Sequence, residues 1–233
     1  MKVYISCGAG DFIAIESFLT DEEKQGITEF YLFTRAGEVI KELISFHPIW
    51  KDCKVHIPYT SDQIRAFDTY SFFDIKHLKA KTRKSWPELD GVIDYSGEVL
   101  YPQILSGTRK FNKSGFEIEP ISCDVVLDAE SNNDDRMIPK GRNLNGNELG
   151  EVRRMFPDSI LTHVGLGITE LKEALGLVKG CKHFVGVDSM LACFAARQDS
   201  IESITVKTIN HIYVKWLPIY DPFKKIKVVG SFV

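Results

Sequence analysis

The chain opens with Lys2-Val-Tyr-Ile-Ser-Cys7, a run of β-forming residues that stops at Gly8-Ala-Gly-Asp11. From Phe12 to Leu19 the apolar residues recur at the spacing of one helix face. A strand, a glycine turn and a helix in this order predict the first unit of a parallel sheet. The fold class depends on whether this unit repeats.

The unit does repeat along both halves of the chain. In the first half, strand-like runs follow at Phe30–Thr34, Lys54–Ile57 and Gly91–Tyr95. In the second half, they lie at Cys123–Leu127, Ile160–Val164, His183–Val187 and Ser203–Val206. Helical spacing between them is found at Val39–Ile44, Glu148–Met155, Thr169–Lys179 and Ser189–Arg197. Strands that alternate with helices indicate parallel sheets with helices on their faces.

A polar, glycine-containing stretch between Arg109 and Glu119 separates the two halves and indicates a domain boundary. The 233 residues are enough for two compact domains. We therefore expect an α/β protein with two tandem doubly wound, Rossmann-like domains, residues 1–118 and 119–233, and a cleft between them.

Composition narrows the class of protein. Hydrophobic residues make up 44% and charged residues 26% of the chain, which is typical of globular proteins. The net charge of −3 argues against a protein that coats nucleic acid along its whole surface.

Apolar runs stay far below the ~18–20 residues that span a bilayer, and no signal peptide is recognisable, so we expect a cytoplasmic protein. The 5 cysteines form no Cys-x-x-Cys pair, which predicts reduced, packed thiols and no metal site.

The first candidate site is the Gly8–Asp11 turn. Its two glycines, Gly8 and Gly10, allow the backbone to approach a ligand closely, but Ile13 stands where the dinucleotide fingerprint needs a third glycine. An NAD site is therefore not expected. Asp11 either caps the helix or acts as a general base that removes a proton from an acceptor hydroxyl.

The second candidate site is the turn Gly186-Val-Asp-Ser-Met190, which lies between a strand and a helix. Free amides at a helix N-terminus bind phosphate, and the Ser189 hydroxyl can add a hydrogen bond. Asp188 is either the helix cap or a carboxylate that bonds the backbone or a ribose. The turn therefore predicts a site for a phosphorylated ligand.

The third candidate site is the loop Asp134–Arg142 in the second half. Lys140 and Arg142 flank a glycine there, and they can neutralise a diphosphate leaving group. The alternative is an ordinary loop of solvated charges.

Taken in order, these motifs resemble two-domain, GT-B type glycosyltransferases, in particular the ADP-heptose:lipopolysaccharide heptosyltransferase family. The family's Gly-Asp turn is matched by Gly10-Asp11, and its Asp-Ser-Gly-x-x-His-x-Ala motif by Asp188-Ser-Met-Leu-Ala-Cys-Phe-Ala195. Met190 and Cys193 replace the family's glycine and histidine.

The resemblance implies an inverting, metal-independent glycosyltransferase with Asp11 as its catalytic base. The N-terminal domain would receive the acceptor and the C-terminal domain the nucleotide-diphosphate sugar, which is a co-substrate, with no further cofactor. Glu170 is the candidate for the ribose-binding carboxylate, and the alternative is an ordinary acidic residue in the first turn of the helix. The donor would be bound by these residues: Gly8, Gly10, Lys140, Arg142, Glu170, Asp188, Ser189 and Met190.

A basic run, Lys76–Lys84, lies in the acceptor half. An anionic acceptor such as a lipid-linked glycan or DNA would contact Lys79, Lys81, Arg83 and Lys84. A solvated helix face is the alternative. Two further functions stay open: transfer to hydroxymethylated bases of DNA, and a non-catalytic nucleotide-sugar-binding protein of the same fold.

Overall fold

The computed structural model describes residues 1–60, 63–64, 74–112, 114–130, 143–162, 169–208 and 211–232. The chain divides into two compact units, Met1–Glu117 and Ile118–Val233. This division lies one residue from the boundary placed between residues 118 and 119 from the sequence. No helix within the described ranges is both long enough and apolar enough to cross a membrane.

The first unit is built on a four-stranded parallel sheet with the order β3-β2-β1-β4. Its strands are β1 (Lys2–Ile5), β2 (Glu29–Leu32), β3 (Lys54–His56) and β4 (Ile93–Asp94). This is the strand order of a mononucleotide-binding half of a doubly wound fold. The Rossmann-like expectation is therefore met by the first unit.

Helices connect these strands. They are α1 (Ala9–Glu16), α2 (Asp21–Gly26), α3 (Gly37–Ser45), α4 (Ile75–Thr82) and α5 (Gly97–Leu105), with a 3₁₀ turn at Pro87–Leu89. Helix α2 begins at a capping box between Thr20 and Glu23. Asp74 caps α4 by accepting a hydrogen bond from the His77 amide.

Aromatic side chains fill the core of the first unit. Phe30 and Trp50 meet edge to face with ring centroids 5.1 Å apart, and Phe12 lies 6.0 Å from Trp50. All three side chains are almost fully excluded from solvent. Burying side chains of this kind stabilises the fold by about 1.5–3 kcal/mol each, so this cluster fixes α1 against β2.

The second unit is built on a five-stranded parallel sheet with the order β6-β5-β7-β8-β9. Its strands are β5 (Cys123–Asp128), β6 (Ile160–Thr162), β7 (Cys181–Val187), β8 (Ser203–Lys207) and β9 (Ile226–Val229). Its helices are α6 (Gly146–Met155), α7 (Leu171–Gly180), α8 (Met190–Ala195) and α9 (His211–Tyr220). This order is the other common doubly wound arrangement, in which one strand precedes the change of direction.

Close backbone approach explains one glycine of the second unit. A Cβ atom at Gly180 would lie 2.1 Å from the Ile121 carbonyl oxygen. The Ile121 amide also donates to the Gly176 carbonyl at 2.9 Å. A glycine at the end of α7 therefore lets the segment before β5 lie directly against the helix.

Each unit contains a buried ion pair between a lysine and a glutamate. In the first unit, Lys24 Nζ lies 2.6 Å from Glu16 Oε1, and both side chains are at most 3% exposed. In the second unit, Lys207 Nζ lies 2.6 Å from Glu148 Oε2, with both side chains at most 5% exposed. Buried charges of this kind are tolerated only when they are paired and hydrogen-bonded.

A buried guanidinium joins two helix ends in the second unit. Arg197 donates to the Cys193 carbonyl of α8 and to the Ile219 and Tyr220 carbonyls of α9. Each of these bonds measures 2.8 Å. A positive charge at helix C-termini is favoured by the helix dipole and supplies donors for carbonyls that have no partner within the helix.

Candidate functional site

The topology places a candidate site at the carboxyl edge of the first sheet. β2 and β3 lie on one side of β1, and β4 lies on the other. The loops after β1 and β4 therefore diverge, and such switch points are where doubly wound sheets bind ligands. The Gly8–Asp11 turn follows β1, and Tyr95–Gly97 follows β4.

Asp11 does not cap α1, so that interpretation of the sequence is wrong. The cap is Gly8, which has extended backbone angles, and Asp11 lies in the first turn of the helix. Its half-buried carboxylate accepts a hydrogen bond from the Tyr101 hydroxyl of α5 instead. A carboxylate in the first turn of a helix is stabilised by the helix dipole.

Gly8 and Gly10 lie around this carboxylate. A Cβ atom at Gly8 would lie 3.0 Å from Asp11 Oδ2, so the missing side chain leaves room for the carboxylate. Gly10 is the second residue of α1. Neither glycine has a positive φ, so a left-handed backbone does not explain the choice of glycine at either position. Their role in donor binding stays a prediction.

Ser96 is a second polar group at this switch point, and the sequence analysis missed it. It precedes α5, makes no side-chain capping bond and is 0% exposed. Its Oγ atom has no hydrogen-bond partner among the described residues. A buried hydroxyl without a partner costs about 1–3 kcal/mol. The signal for it was a Ser-Gly pair directly after a predicted strand.

A comparable switch point exists in the second unit between β5 and β7, because β6 lies on one side of β5 and β7 on the other. Ser189 caps α8 here: its hydroxyl accepts from the Ala192 amide at 3.2 Å and donates to Asp128 at the end of β5. Asp188 is therefore not the cap, which corrects one alternative of the sequence analysis. Its buried carboxylate accepts from the Thr208 hydroxyl at 3.1 Å.

Two buried carboxylates lie at this turn, where the sequence predicts a phosphate site. Asp128 and Asp188 are both buried, at 3% and 1% exposure, and both face hydroxyl groups. Two carboxylates repel a phosphate, whereas they accept hydrogen bonds from sugar hydroxyls well. Phosphate binding by Ser189 stays a prediction.

Gly186 explains how Asp128 reaches Ser189. A Cβ atom at this position would lie 2.7 Å from the Asp128 carbonyl oxygen, so only glycine lets β7 pass this close to the end of β5. Met190, the first residue of α8, is half-buried, and Cys193 is almost fully buried within the helix. The thiol of Cys193 therefore packs in the core, and α8 carries no histidine in its place.

The remaining donor residues are not brought together by the described structure. Lys140 and Arg142 lie outside the described residues, as does the loop at 163–168 that precedes Glu170. Glu170 itself is an exposed residue that precedes α7 and makes no side-chain capping bond. The assignment of these three residues to the donor stays a prediction.

The basic run is divided between a helix and the segment beyond it. Lys79 and Lys81 belong to α4, where Lys79 Nζ lies 3.4 Å from Asp90. Arg83 ends the helix with a left-handed φ of 51°, and Lys84 Nζ lies 3.9 Å above the Trp86 ring. The four side chains therefore do not form one helix face, and acceptor binding by them stays a prediction.

Comparisons with protein-family models, with curated proteins and with solved structures return no match to this chain. The assignment of function therefore depends on the geometry of the two switch points and on the motif resemblance.

Proposed function

We propose that the chain is an inverting glycosyltransferase in which Asp11 is the general base. The observation that supports this best is the position of the Asp11 carboxylate. It lies half-buried at the switch point of the first sheet, in the first turn of α1, with one oxygen bonded to Tyr101. A carboxylate that is oriented by a second side chain and reachable from the sheet edge suits proton removal.

In the proposed reaction, the carboxylate of Asp11 removes the proton of an acceptor hydroxyl. The acceptor oxygen forms a bond to the anomeric carbon as the bond from that carbon to the diphosphate breaks, and the electron pair leaves with the nucleotide diphosphate. Tyr101 is a positioning residue, since it holds Oδ1 while Oδ2 lies beside Gly8. The attack from the face opposite the leaving group inverts the anomeric centre.

In the second unit, the proposal assigns sugar or ribose hydroxyls to the turn around Asp128, Asp188 and Ser189. Both carboxylates accept hydrogen bonds from hydroxyl groups of the chain itself, and this preference supports the assignment. The diphosphate is assigned to Lys140 and Arg142, whose charges would neutralise the leaving group.

The first experiment is a thermal-shift screen of the full chain against nucleotides and nucleotide sugars. A ligand at 100 times its dissociation constant stabilises the folded state by about 2.7 kcal/mol, which is a readily measured shift. The nucleotide sugar that shifts the transition is then used with candidate acceptors, and release of nucleotide diphosphate is measured.

Asp11→Asn is the decisive variant, because it keeps the shape of the side chain and removes its basicity. We expect transfer to fall by about 10²–10⁴-fold and donor binding to be retained. Asp52→Asn, an exposed aspartate of the same unit, is the matched control and should keep full activity. Full activity of the Asp11→Asn variant would show that Asp11 is not the general base.

A second candidate function is a non-catalytic nucleotide-sugar-binding protein. It is favoured by one observation, the burial of Cys193 where the similar family has a histidine. Tight binding of a nucleotide sugar with neither transfer nor hydrolysis over prolonged incubation would support this function instead.

A further inference from the structure

Three side chains with metal-binding atoms converge near the carboxyl edge of β4. Asp74 precedes α4, His77 lies in its first turn, and Glu98 lies in the first turn of α5. His77 Nδ1 is 2.9 Å from Asp74 Oδ1 and 3.4 Å from Glu98 Oε2. One ligand atom from each of the three lies within 4.8 Å of the other two. Metal–ligand bonds of about 2.0–2.2 Å in a tetrahedral site put ligand atoms about 3.4 Å apart, so small side-chain rotations suffice.

Two helix starts carry these ligands, and one further carboxylate fixes them. Asp94 accepts from the Ile75 amide at the start of α4 and from the Ser96 amide at the start of α5, each at 2.8 Å. Hydrogen bonds that fix the backbone carrying the ligands help to orient a metal site. The turns that present His77 and Glu98 are therefore held in a fixed relation to one another.

The carboxylates of this cluster have no lysine or arginine partner among the described residues. Within the described residues, Asp74, Asp94 and Glu98 form no ion pair with lysine or arginine, and the ionic contacts of Asp74 and Glu98 are with His77. Burial raises the pKa of the Tyr4 phenol, and these same three carboxylates raise it further. The three carboxylates therefore lie close enough together to act on one buried group of the first sheet.

A simple helix cap does not account for this arrangement. Asp74 alone satisfies the cap of α4, but Glu98 comes from a different helix and approaches the same His77 nitrogen. Two carboxylates from separate helices lie around one imidazole nitrogen, and a divalent metal ion binds ligands in this kind of arrangement.

We propose that Asp74, His77 and Glu98 form a binding site for a divalent transition-metal ion of the Zn²⁺ type. One imidazole and two carboxylates suit zinc, cobalt and manganese better than the all-oxygen sites that magnesium and calcium prefer. The side chains are 28%, 59% and 37% exposed, so the ion can enter from solvent and keep water in its remaining positions.

The proposal does not depend on the transferase function, although it bears on the same helix. Glu98 and Tyr101 are three residues apart on α5, so they lie on neighbouring positions of one helix face. An ion bound by Glu98 would fix the helix that presents the Tyr101 hydroxyl to Asp11.

The experiment is a titration of the full, chelator-treated chain with Co²⁺, whose visible spectrum reports its ligands. We expect one equivalent to bind, with a spectrum of nitrogen and oxygen ligands, and Zn²⁺ to displace it. His77→Ala and Glu98→Gln should each weaken binding at least about tenfold. Asp74→Asn should also weaken it while it keeps the oxygen that caps α4.

His56→Ala is the matched control. His56 also contacts a glutamate, with Nε2 3.2 Å from Glu29 Oε2, but the structure brings no second carboxylate ligand to it among the described residues. Its removal should leave Co²⁺ binding unchanged. Circular dichroism of the metal-free variants verifies that each is folded, and the exposed positions of His77 and Glu98 make loss of fold unexpected.

Three results would overturn the proposal. They are the absence of stoichiometric Co²⁺ binding, a thiolate charge-transfer band that assigns the ion to cysteine, and equal affinity in wild type and in folded His77→Ala and Glu98→Gln variants. Each is independent of any transfer assay, so failure of the metal site and failure of the proposed function are distinguishable.

Discussion

The two switch points of this protein are built on carboxylates, yet they differ in what surrounds them. Asp11 of the first unit is half-buried and is held by the hydroxyl of Tyr101 from a neighbouring helix. Asp128 and Asp188 of the second unit are almost fully buried, and Ser189 and Thr208 donate to them. An accessible carboxylate is suited to exchange protons with a ligand, whereas a buried one is suited to orient hydroxyl groups.

Burial also determines how much each bond contributes to stability. A buried acceptor that loses its donor has no water to replace it, so the loss is costly. A half-buried acceptor that loses its donor can accept a hydrogen bond from water instead, so its loss costs less. The units can be compared by removing single partners, starting with the buried ion pairs that both of them contain.

Lys24→Met should have the largest effect. It leaves the Glu16 carboxylate buried without its ammonium partner, and removal of one member of such a pair costs about 3–5 kcal/mol. Urea unfolding followed by circular dichroism measures the loss. Lys41→Met, at an exposed pair with Glu38, is the control and should leave the transition unchanged. The additional substitution Glu16→Gln should recover part of the stability, and a double variant as unstable as Lys24→Met would contradict this explanation.

Acidification should weaken both units. Contacts with Lys24, His47 and the Gly115 amide outweigh burial and lower the pKa of Glu16, and bonds with Lys207 and the Asn145 amide lower that of Glu148. Their contribution is complete above the ordinary glutamate pKa of 4.5 and is lost as the pH falls through the lowered value. The free energy of unfolding should therefore decrease below about pH 4.5.

The Glu16→Gln variant, compared with wild type, tests whether Glu16 causes this pH dependence. Its free energy of unfolding, measured by urea titration at several pH values, should fall less steeply in acid than that of wild type. An identical slope in the two proteins would exclude Glu16 as a source of the acid sensitivity.

Thr208→Val should have an intermediate effect. The substitution keeps the shape of the side chain and removes the donor to the buried Asp188 carboxylate, which costs about 1–3 kcal/mol. Thermal unfolding measures it. Thr205→Val, on the preceding strand β8 and only half-buried, is the matched control. A loss no larger than that of the control would show that Asp188 finds another donor.

Tyr101→Phe should have the smallest effect on stability, about 1 kcal/mol or less, because Asp11 is half-buried and water can replace the lost donor. Its effect on the proposed activity should be seen as a shift of the pH profile, since a carboxylate without its donor becomes a stronger base. A stability loss as large as that of Thr208→Val would contradict the view that the hydrogen bond to the half-buried Asp11 contributes less to stability than the bond to the buried Asp188.

Much of the fold follows from the sequence because apolar periodicity and glycine turns are local signals. The strands around Lys2–Cys7, Phe30–Thr34 and Cys123–Leu127 are present in the structure. Strand β9 and helix α9 were missed, since Lys224 and Lys225 precede the strand and Pro218 lies inside the helix. Helix α2 has few apolar residues, but its capping box at Thr20 and Glu23 was a usable signal.

The candidate sites were predictable only in part. The position of Asp11 follows from the rule that ligands bind beyond the carboxyl ends of strands. Its partner Tyr101 is 90 residues away in sequence, and no local pattern relates them. Asp188 and Ser189 are both favourable cap residues, and Ser189, which caps α8, is bonded to Asp128, a residue 61 positions away that no local pattern relates to it. The cluster at Asp74, His77 and Glu98 escaped prediction because two helices supply it.

The buried Arg197 side chain has a consequence for the order in which the second unit opens. Because its guanidinium holds carbonyls at the ends of both α8 and α9, neither helix end can detach without leaving a buried charge short of acceptors. The segment from α9 to β9 should therefore exchange its amide hydrogens together with α8, as one cooperative unit. The end of α9 is in this way joined to the helix beside the Ser189 turn.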